Sequence, residues 1–160
     1  MISEQLKSLI GKRGTPVIFE VTRLDLRKAA DAAGDRNPLY WDDDYAEKSR
    51  YKGIIAPPDF FGWPVNWPPN STFVYMSDLS GQVFIEVAKA GYHRAINAGM
   101  ESEFFHPVRP GDILIMTSEV IGVEEKEGKK GGKMCISTIE NTYINQRGAV
   151  VAKQRHSAIH

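Results

Sequence analysis

The sequence predicts a single α+β domain, spanning residues 1–160, in which an antiparallel sheet wraps around a central helix. The last third contains three long β-branched runs separated by short turns, a pattern typical of an antiparallel meander. The first half instead contains three helical patterns. Between these halves an apolar run ends at Pro57-Pro58, and the aromatic residues that follow indicate the start of a buried helix.

The first elements follow from apolar spacing and from residues that end helices. A short amphipathic helix is predicted from Glu4 to Ile10, and the β-branched and aromatic run Val17–Val21 predicts a strand. Apolar spacing predicts a helix over Thr22–Ala33, which Gly34 ends. The next helix is predicted to begin at Asp42-Asp43-Asp44, since acidic residues in a first turn satisfy free N–H groups. A metal cluster is the weaker interpretation of these residues, because consecutive side chains do not converge on one ion.

The second half is predicted to be mainly β. A buried helix is expected to begin near Asp59, and Trp67–Asn97 is expected to be irregular with one short helix. The strands predicted after it are Met100–Phe105, Ile113–Val123, Lys133–Asn145 and Ala149–Ile159.

The composition excludes several classes of protein. Twenty basic residues balance twenty acidic ones, so the sequence carries no electrostatic footprint for nucleic acid or an anionic membrane. Cys135 is the only cysteine, which excludes a disulfide framework and a cysteine-based metal site. The N-terminal residues lack the pattern of a signal peptide, and no run approaches the roughly 20 apolar residues that cross a bilayer. A cytoplasmic protein without metal or cofactor is therefore expected.

Two segments carry the chemical information: Gly34-Asp35-Arg36-Asn37-Pro38-Leu39-Tyr40 and Tyr51-Lys52-Gly53-Ile54-Ile55-Ala56-Pro57-Pro58. Together they resemble the signature of the MaoC-like (R-specific enoyl-CoA hydratase) group of hotdog-fold proteins. That signature reads roughly Gly-Asp-x-Asn-Pro-aliphatic-His and later Gly-x-Ile-Ala-His-Gly. Tyr40 stands where the family has His, and Pro57-Pro58 stand where it has His-Gly. Together with the segments Phe105–Asp112 and Glu140–Gly148, these two changes make the sequence resemble the branch of FAS1-like or MaoC N-terminal dehydratase domains. The resemblance covers roughly residues 15–159.

The resemblance implies a hotdog fold and the hydration of an α,β-unsaturated thioester, or the reverse dehydration. This chemistry needs a base for water, a proton for Cα and donors for the enolate oxygen. Asp35 matches the water-activating residue, Asn37 the residue that braces its loop and Tyr40 the His. A phenol has a pKa of about 10 against about 6.5 for imidazole, so Tyr40 is a poor base near neutrality. It could still orient water or donate a proton.

Substrate contacts are expected at Pro58 and in the residues that follow it. Pro58 has no N–H, so the amides of Asp59 and Phe60 are the expected oxyanion donors at the helix start. Trp63 is expected to help form a wall of the acyl slot, although core packing explains most aromatic residues near it. Further along the chain, His93 is a candidate slot residue and Arg94 a candidate ligand of coenzyme A phosphates, with solvated surface as the alternative for each. His106 is more simply explained by a structural hydrogen bond, and Cys135 by burial as an inert thiol.

The sequence thus predicts a hydro-lyase for coenzyme A or acyl carrier protein thioesters. An open sheet edge and an acyl slot that needs a second subunit predict a homodimer or a heterodimer with another hotdog chain. One alternative is a non-catalytic subunit that binds the acyl chain while its partner carries the intact Asp and His. Others are a thioesterase that uses Asp59, and a ligand-binding module without turnover.

Overall fold

Four helices and one five-stranded sheet make up the part of the chain that the computed structural model describes, residues 4–62, 78–128 and 132–160. The helices are α1 (Glu4–Lys7), α2 (Arg23–Ala33), α3 (Asp43–Lys48) and α4 (Asp78–Lys89). The strands are β1 (Val17–Glu20), β2 (Ile96–Phe104), β3 (Ile113–Glu127), β4 (Lys133–Asn145) and β5 (Val150–Ile159). Two 3₁₀ helices, Pro38–Tyr40 and Pro58–Gly62, lie in the segment that carries the motif.

The sheet is antiparallel throughout, in the order β1-β3-β4-β5-β2. The predicted meander is confirmed as its centre, because β3, β4 and β5 are consecutive both in the chain and in the sheet. The short strand β1 forms one edge and the nine-residue strand β2 forms the other. A fully antiparallel sheet with helices packed on it agrees with the hotdog architecture that the sequence predicts.

The inner face of the sheet carries two hydrophobic clusters. The α2 cluster joins α2 and the second 3₁₀ helix to the sheet, and includes Leu26, Phe60, Phe61, Leu114 and Tyr143. The α4 cluster joins α1 and α4 to the other half of the sheet, and its members are Leu6, Leu9, Leu79, Val83, Val87, Val120, Val123, Cys135 and Ile139. Burial of these side chains, at roughly 25 cal/mol per Å² of apolar surface, is the main force that holds the helices on the sheet.

The second half of the chain is more regular than its sequence suggests. The expected short helix is the twelve-residue α4, whose buried Leu79, Val83 and Val87 recur every four residues along one face. Strand β2 begins at Ile96, four residues before the prediction, because a bulge between Asn97 and Gly99 lets the strand continue through residues with weak β preference. Where the sequence predicts a buried helix that begins near Asp59, the described residues form the 3₁₀ helix Pro58–Gly62. No helix of the described residues is long and apolar enough to cross a membrane.

Candidate active site

The helix α2 ends where the candidate base begins. Thr22 caps its N-terminus in a reciprocal box with Asp25. Gly34 ends it in the left-handed conformation, at φ 69°, with its N–H directed to the last carbonyl groups of the helix. The N–H of Asp35 then donates to the carbonyl of Ala30 at 2.8 Å. The backbone of Asp35 is therefore anchored to a packed helix.

The loop of Asp35 is closed by its own polar groups. The carboxylate Oδ1 accepts the N–H of Asn37 at 2.9 Å, and the backbone carbonyl accepts the Trp41 indole N–H at 3.0 Å. The Asn37 side chain accepts the N–H of Leu39 at 3.1 Å and caps the 3₁₀ helix. Asp35 remains half-buried, and within the described residues its Oδ2 accepts no hydrogen bond. One carboxylate oxygen is thus held by the loop while the other is available.

Tyr40 belongs to the hydrophobic interior. Its side chain is only 6% exposed and packs with Ala30 and Ile55, against the partly buried Leu39 and Trp41. It lies on the same loop as Asp35, at the end of the 3₁₀ helix. Because the Tyr40 side chain is buried, it packs against this loop more than it contacts water.

The second motif segment is held against the first. The N–H of Ile55 contacts the carbonyl of Leu39 at 3.4 Å, and the N–H of Ala56 donates to the carbonyl of Val108 at 2.8 Å. The Arg109 guanidinium donates to the carbonyl of Tyr51, so it fixes the turn that precedes the apolar run. Only the folded chain shows that Arg109 positions this loop.

The segment after Pro57-Pro58 differs from the prediction in one expected oxyanion donor, the N–H of Phe60. Pro57 is fully buried and Pro58 is exposed. The N–H of Phe60 donates to the carbonyl of Pro57 at 3.0 Å, so the predicted use of this amide as an oxyanion donor is wrong for the observed turn. The Phe60 ring is fully buried in the α2 cluster. The side chain of Asp59 and all of Trp63 lie outside the described part of the chain, and both stay predictions.

A buried tyrosine fixes this turn to the sheet, and sequence reasoning missed it. The Tyr143 hydroxyl lies 3.2 Å from the carbonyl oxygen of Phe61 and 3.0 Å from Gln154 Oε1. The rings of Phe61 and Tyr143 pack edge to face at 4.9 Å, and the ring centroids of Phe61 and Phe104 of β2 lie 5.7 Å apart. Burial raises the pKa of Tyr143, which keeps the phenol protonated. Nothing in the local sequence of β4 distinguishes this tyrosine from an ordinary inward residue.

The remaining candidates lie apart from Asp35. His93 and Arg94 are both exposed, on the connection between α4 and β2, and no described contact joins them to the loop. His106 Nδ1 lies 3.0 Å from the carbonyl oxygen of Val150, which confirms the structural hydrogen bond expected of it.

The aspartate run and the cysteine have the expected structural roles. Asp42 caps α3 by accepting the N–H of Tyr45, which confirms the capping interpretation. Asp43 forms an ion pair with Arg23 at 2.6 Å, and this hydrogen bond lowers the pKa of the Asp43 carboxyl. Cys135 is fully buried, and burial raises the pKa of its thiol.

Several known proteins are similar to this chain in sequence or in structure. The chain is 32% identical to a UPF0336 protein of Streptomyces coelicolor over 125 residues, which are 76% of this chain and 75% of that protein. It is 29% identical to a probable enoyl-CoA hydratase alpha subunit of Thermomonospora curvata over 137 residues, 81% of this chain and 41% of that protein. The structure is also similar to the ChsH1-ChsH2 complex from Mycobacterium tuberculosis, with a TM-score of 0.83 and 20% identity over 98% of this chain and 88% of that one.

The match to a family model spans almost the whole domain. The model is that of the FAS1-like, dehydratase domain region, and it matches residues 8–154. This range contains the Asp35 loop, the proline pair, strands β1 to β4 and the first half of β5. The hotdog fold and the MaoC-like relationship expected from the motif are thereby confirmed. The chain belongs to the FAS1-like dehydratase domain family.

Proposed function

We propose that this chain is a hydro-lyase subunit that hydrates a trans-2-enoyl thioester, or dehydrates a 3-hydroxyacyl thioester, with Asp35 as the base. The observation that carries the proposal is the arrangement of its carboxylate. Oδ1 is held by the Asn37 N–H at 2.9 Å, while Oδ2 of the half-buried side chain accepts no hydrogen bond from the described residues. Membership of a dehydratase family and similarity to a probable enoyl-CoA hydratase subunit support the same reaction.

The Asp35 carboxyl group alone can transfer the proton that the proposed hydration requires. Oδ2 of Asp35 takes a proton from water as the water oxygen bonds to Cβ of the enoyl group. The electrons of the double bond move toward the thioester carbonyl, and the same proton is then delivered to Cα. The Asp59 N–H is the proposed donor to the enolate oxygen, since the N–H of Phe60 is used within the turn. Asn37 and Tyr40 then act by holding the loop, because the first caps the 3₁₀ helix and the second is buried.

The second candidate function is a non-catalytic subunit of a heteromeric dehydratase. Two observations favour it: the ring at the family's His position is buried, and the Phe60 amide is already hydrogen-bonded. In that case the chain binds the acyl group together with a second hotdog subunit that carries the intact catalytic pair. The solved complex of similar fold contains two different chains, which supports a subunit partner.

Hydration of a panel of trans-2-enoyl-CoA esters by the purified chain tests the base. We expect Asp35→Asn to reduce kcat/KM by about 100-fold or more, because a positioned base contributes on that order. Asp44→Asn, an exposed carboxylate on α3, is the matched control and should leave the rate unchanged.

The possible outcomes separate the candidate functions. Turnover that survives in Asp35→Asn contradicts the role of Asp35 while it leaves the reaction in place. No turnover by the unaltered chain, with measurable acyl-CoA binding, favours the non-catalytic subunit. Release of coenzyme A from a saturated acyl-CoA would instead indicate a thioesterase.

A further inference from the structure

We infer that the inner face of the sheet, between β2 and β5, binds an oxygen substituent on the acyl chain, either a hydroxyl or a keto group. Four side chains form this β2–β5 patch: Met100 and Ser102 on β2, and Gln154 and His156 on β5. Met100 lies opposite His156 and Ser102 opposite Gln154, so all four share one face. The inference rests on the proposed function and deepens it by naming the class of acyl group that the site selects.

The Gln154 amide is buried, yet its N–H groups have weak acceptors. The residue is only 1% exposed. Its Nε2 donates to the Ser102 hydroxyl at 3.3 Å and to the Met100 sulfur at 3.6 Å. A thioether sulfur is a weak acceptor, and a buried donor without a good acceptor costs free energy. A ligand oxygen in the place of this sulfur would be a stronger acceptor for the amide.

Met100 covers the amide but is not itself enclosed. It is 53% exposed, and its three rotatable bonds allow the side chain to move aside. The neighbouring His156 is half-buried, and its imidazole makes no hydrogen bond within residues 4–62, 78–128 and 132–160. Burial lowers the pKa of His156, so the ring is neutral near pH 7 and has one donor and one acceptor nitrogen. Movement of Met100 would therefore open a place where two polar side chains meet.

The β2–β5 patch is connected to the turn that carries the proposed oxyanion donor. Gln154 Oε1 lies 3.0 Å from the Tyr143 hydroxyl, which lies 3.2 Å from the carbonyl oxygen of Phe61. Phe61 belongs to the same 3₁₀ helix as Asp59, whose N–H is the proposed donor. A thioester carbonyl bound at Asp59 would thus leave the acyl chain to extend past Phe61. Carbons beyond Cβ would then reach the patch.

Apolar walls beside the patch make its polar groups selective. Phe104 is 50% exposed, and its ring centroid lies 5.7 Å from that of Phe61. The alkyl part of an acyl chain can contact these rings while its oxygen reaches Gln154. Apolar walls with a few placed polar groups are typical of small-molecule sites. A plain alkyl chain that displaces Met100 would leave the amide without an acceptor, which disfavours its binding.

Binding of unreactive thioesters to the full chain tests the inference. The probes are octanoyl-CoA and the same ester with one hydroxyl or keto group, placed in turn at each carbon from the fifth to the eighth. None has the double bond or the 3-hydroxyl group, so none reacts. We expect at least one oxygenated ester to bind with a Kd about tenfold lower than that of octanoyl-CoA, as measured by isothermal titration calorimetry.

Three variants assign this preference to the patch. Gln154→Leu removes both amide N–H groups and should bring the two Kd values to within about twofold of each other. His156→Leu, at a less buried position, should also reduce the preference, and it tests the patch if the first variant does not fold. The matched control Ser118→Ala removes a buried hydroxyl of β3, two strands away from β2, and should keep the full preference. Circular dichroism establishes that each variant is folded.

The remaining outcomes separate this inference from the proposed function. Equal Kd values for plain and oxygenated esters, or a preference that survives both Gln154→Leu and His156→Leu, would overturn the inference even where trans-2-enoyl-CoA is hydrated. A preference that depends on Gln154, without hydration, would support the patch and contradict the hydratase. Absence of binding by every ester would overturn both.

Discussion

At the scale of single residues, the site depends on side chains that the motif does not contain. Arg109 holds the turn at Tyr51, and Tyr143 holds the carbonyl of Phe61. Arg109 acts at the first residue of the second motif segment and Tyr143 acts just after its end, and both come from the β half of the chain. The motif is therefore positioned by residues more than 50 positions away in the sequence.

Removal of the Tyr143 hydroxyl should destabilise the domain. We expect Tyr143→Phe to lower the free energy of unfolding by about 1–2 kcal/mol, because the carbonyl of Phe61 and the amide of Gln154 lose a buried partner. Urea denaturation measures the change. Tyr45→Phe, at a side chain that is 51% exposed, is the control and should change stability by no more than a few tenths of a kcal/mol. Equal effects of the two substitutions would contradict the buried hydrogen bond.

At the scale of elements, two glycines can be compared directly: one ends a helix and the other lies inside a helix. Gly34 ends α2 at φ 69°, whereas Gly81 lies inside α4, and an added Cβ meets nothing within 4 Å at either position. Any difference between the two alanine substitutions therefore comes from backbone conformation rather than from contacts.

The same substitution should have opposite effects at these two positions. Gly34→Ala is expected to cost about 1 kcal/mol, because the left-handed conformation strains an alanine. Gly81→Ala should stabilise by about 0.5–1 kcal/mol through helix preference and a less flexible unfolded chain. Thermal and urea unfolding of both variants measure the two values. A stabilising Gly34→Ala would mean that the conformation before Asp35 is not fixed.

At the scale of the whole molecule, stability should decrease on mild acidification. Burial lowers the pKa of His156 from its ordinary value of 6.5. The unfolded chain therefore binds a proton at a higher pH than the folded chain, and the free energy of unfolding decreases as the pH falls below about 7. We expect His156→Gln to flatten this slope between pH 7.5 and 5.5. His93→Gln, on the exposed connection before β2, should leave the slope as it is; an unchanged slope in His156→Gln would contradict the prediction.

The sequence predicts the architecture better than the site. The bounds of β4 match the prediction because alternation and turn residues are local signals, and the limits of α2 follow from Thr22 and Gly34. The sequence predicts only a short helix where α4 has twelve residues, although Leu79, Val83 and Val87 carry the signal for the longer one. The hydrogen bond from the Phe60 N–H to the Pro57 carbonyl and the burial of Tyr40 depend on tertiary packing, which no local pattern specifies.

The two hydrophobic clusters have a consequence for local opening. Polar side chains lie between them on the sheet: Ser118 donates to Asn141 at 2.7 Å on β3 and β4, and the buried Gln154 follows on β5. The two clusters therefore pack on the same sheet but make few apolar contacts with each other. We expect α1 and α4 to detach together in brief subglobal openings while α2 stays in place. The geometry around Asp35 would then survive fluctuations that expose the other half of the interior.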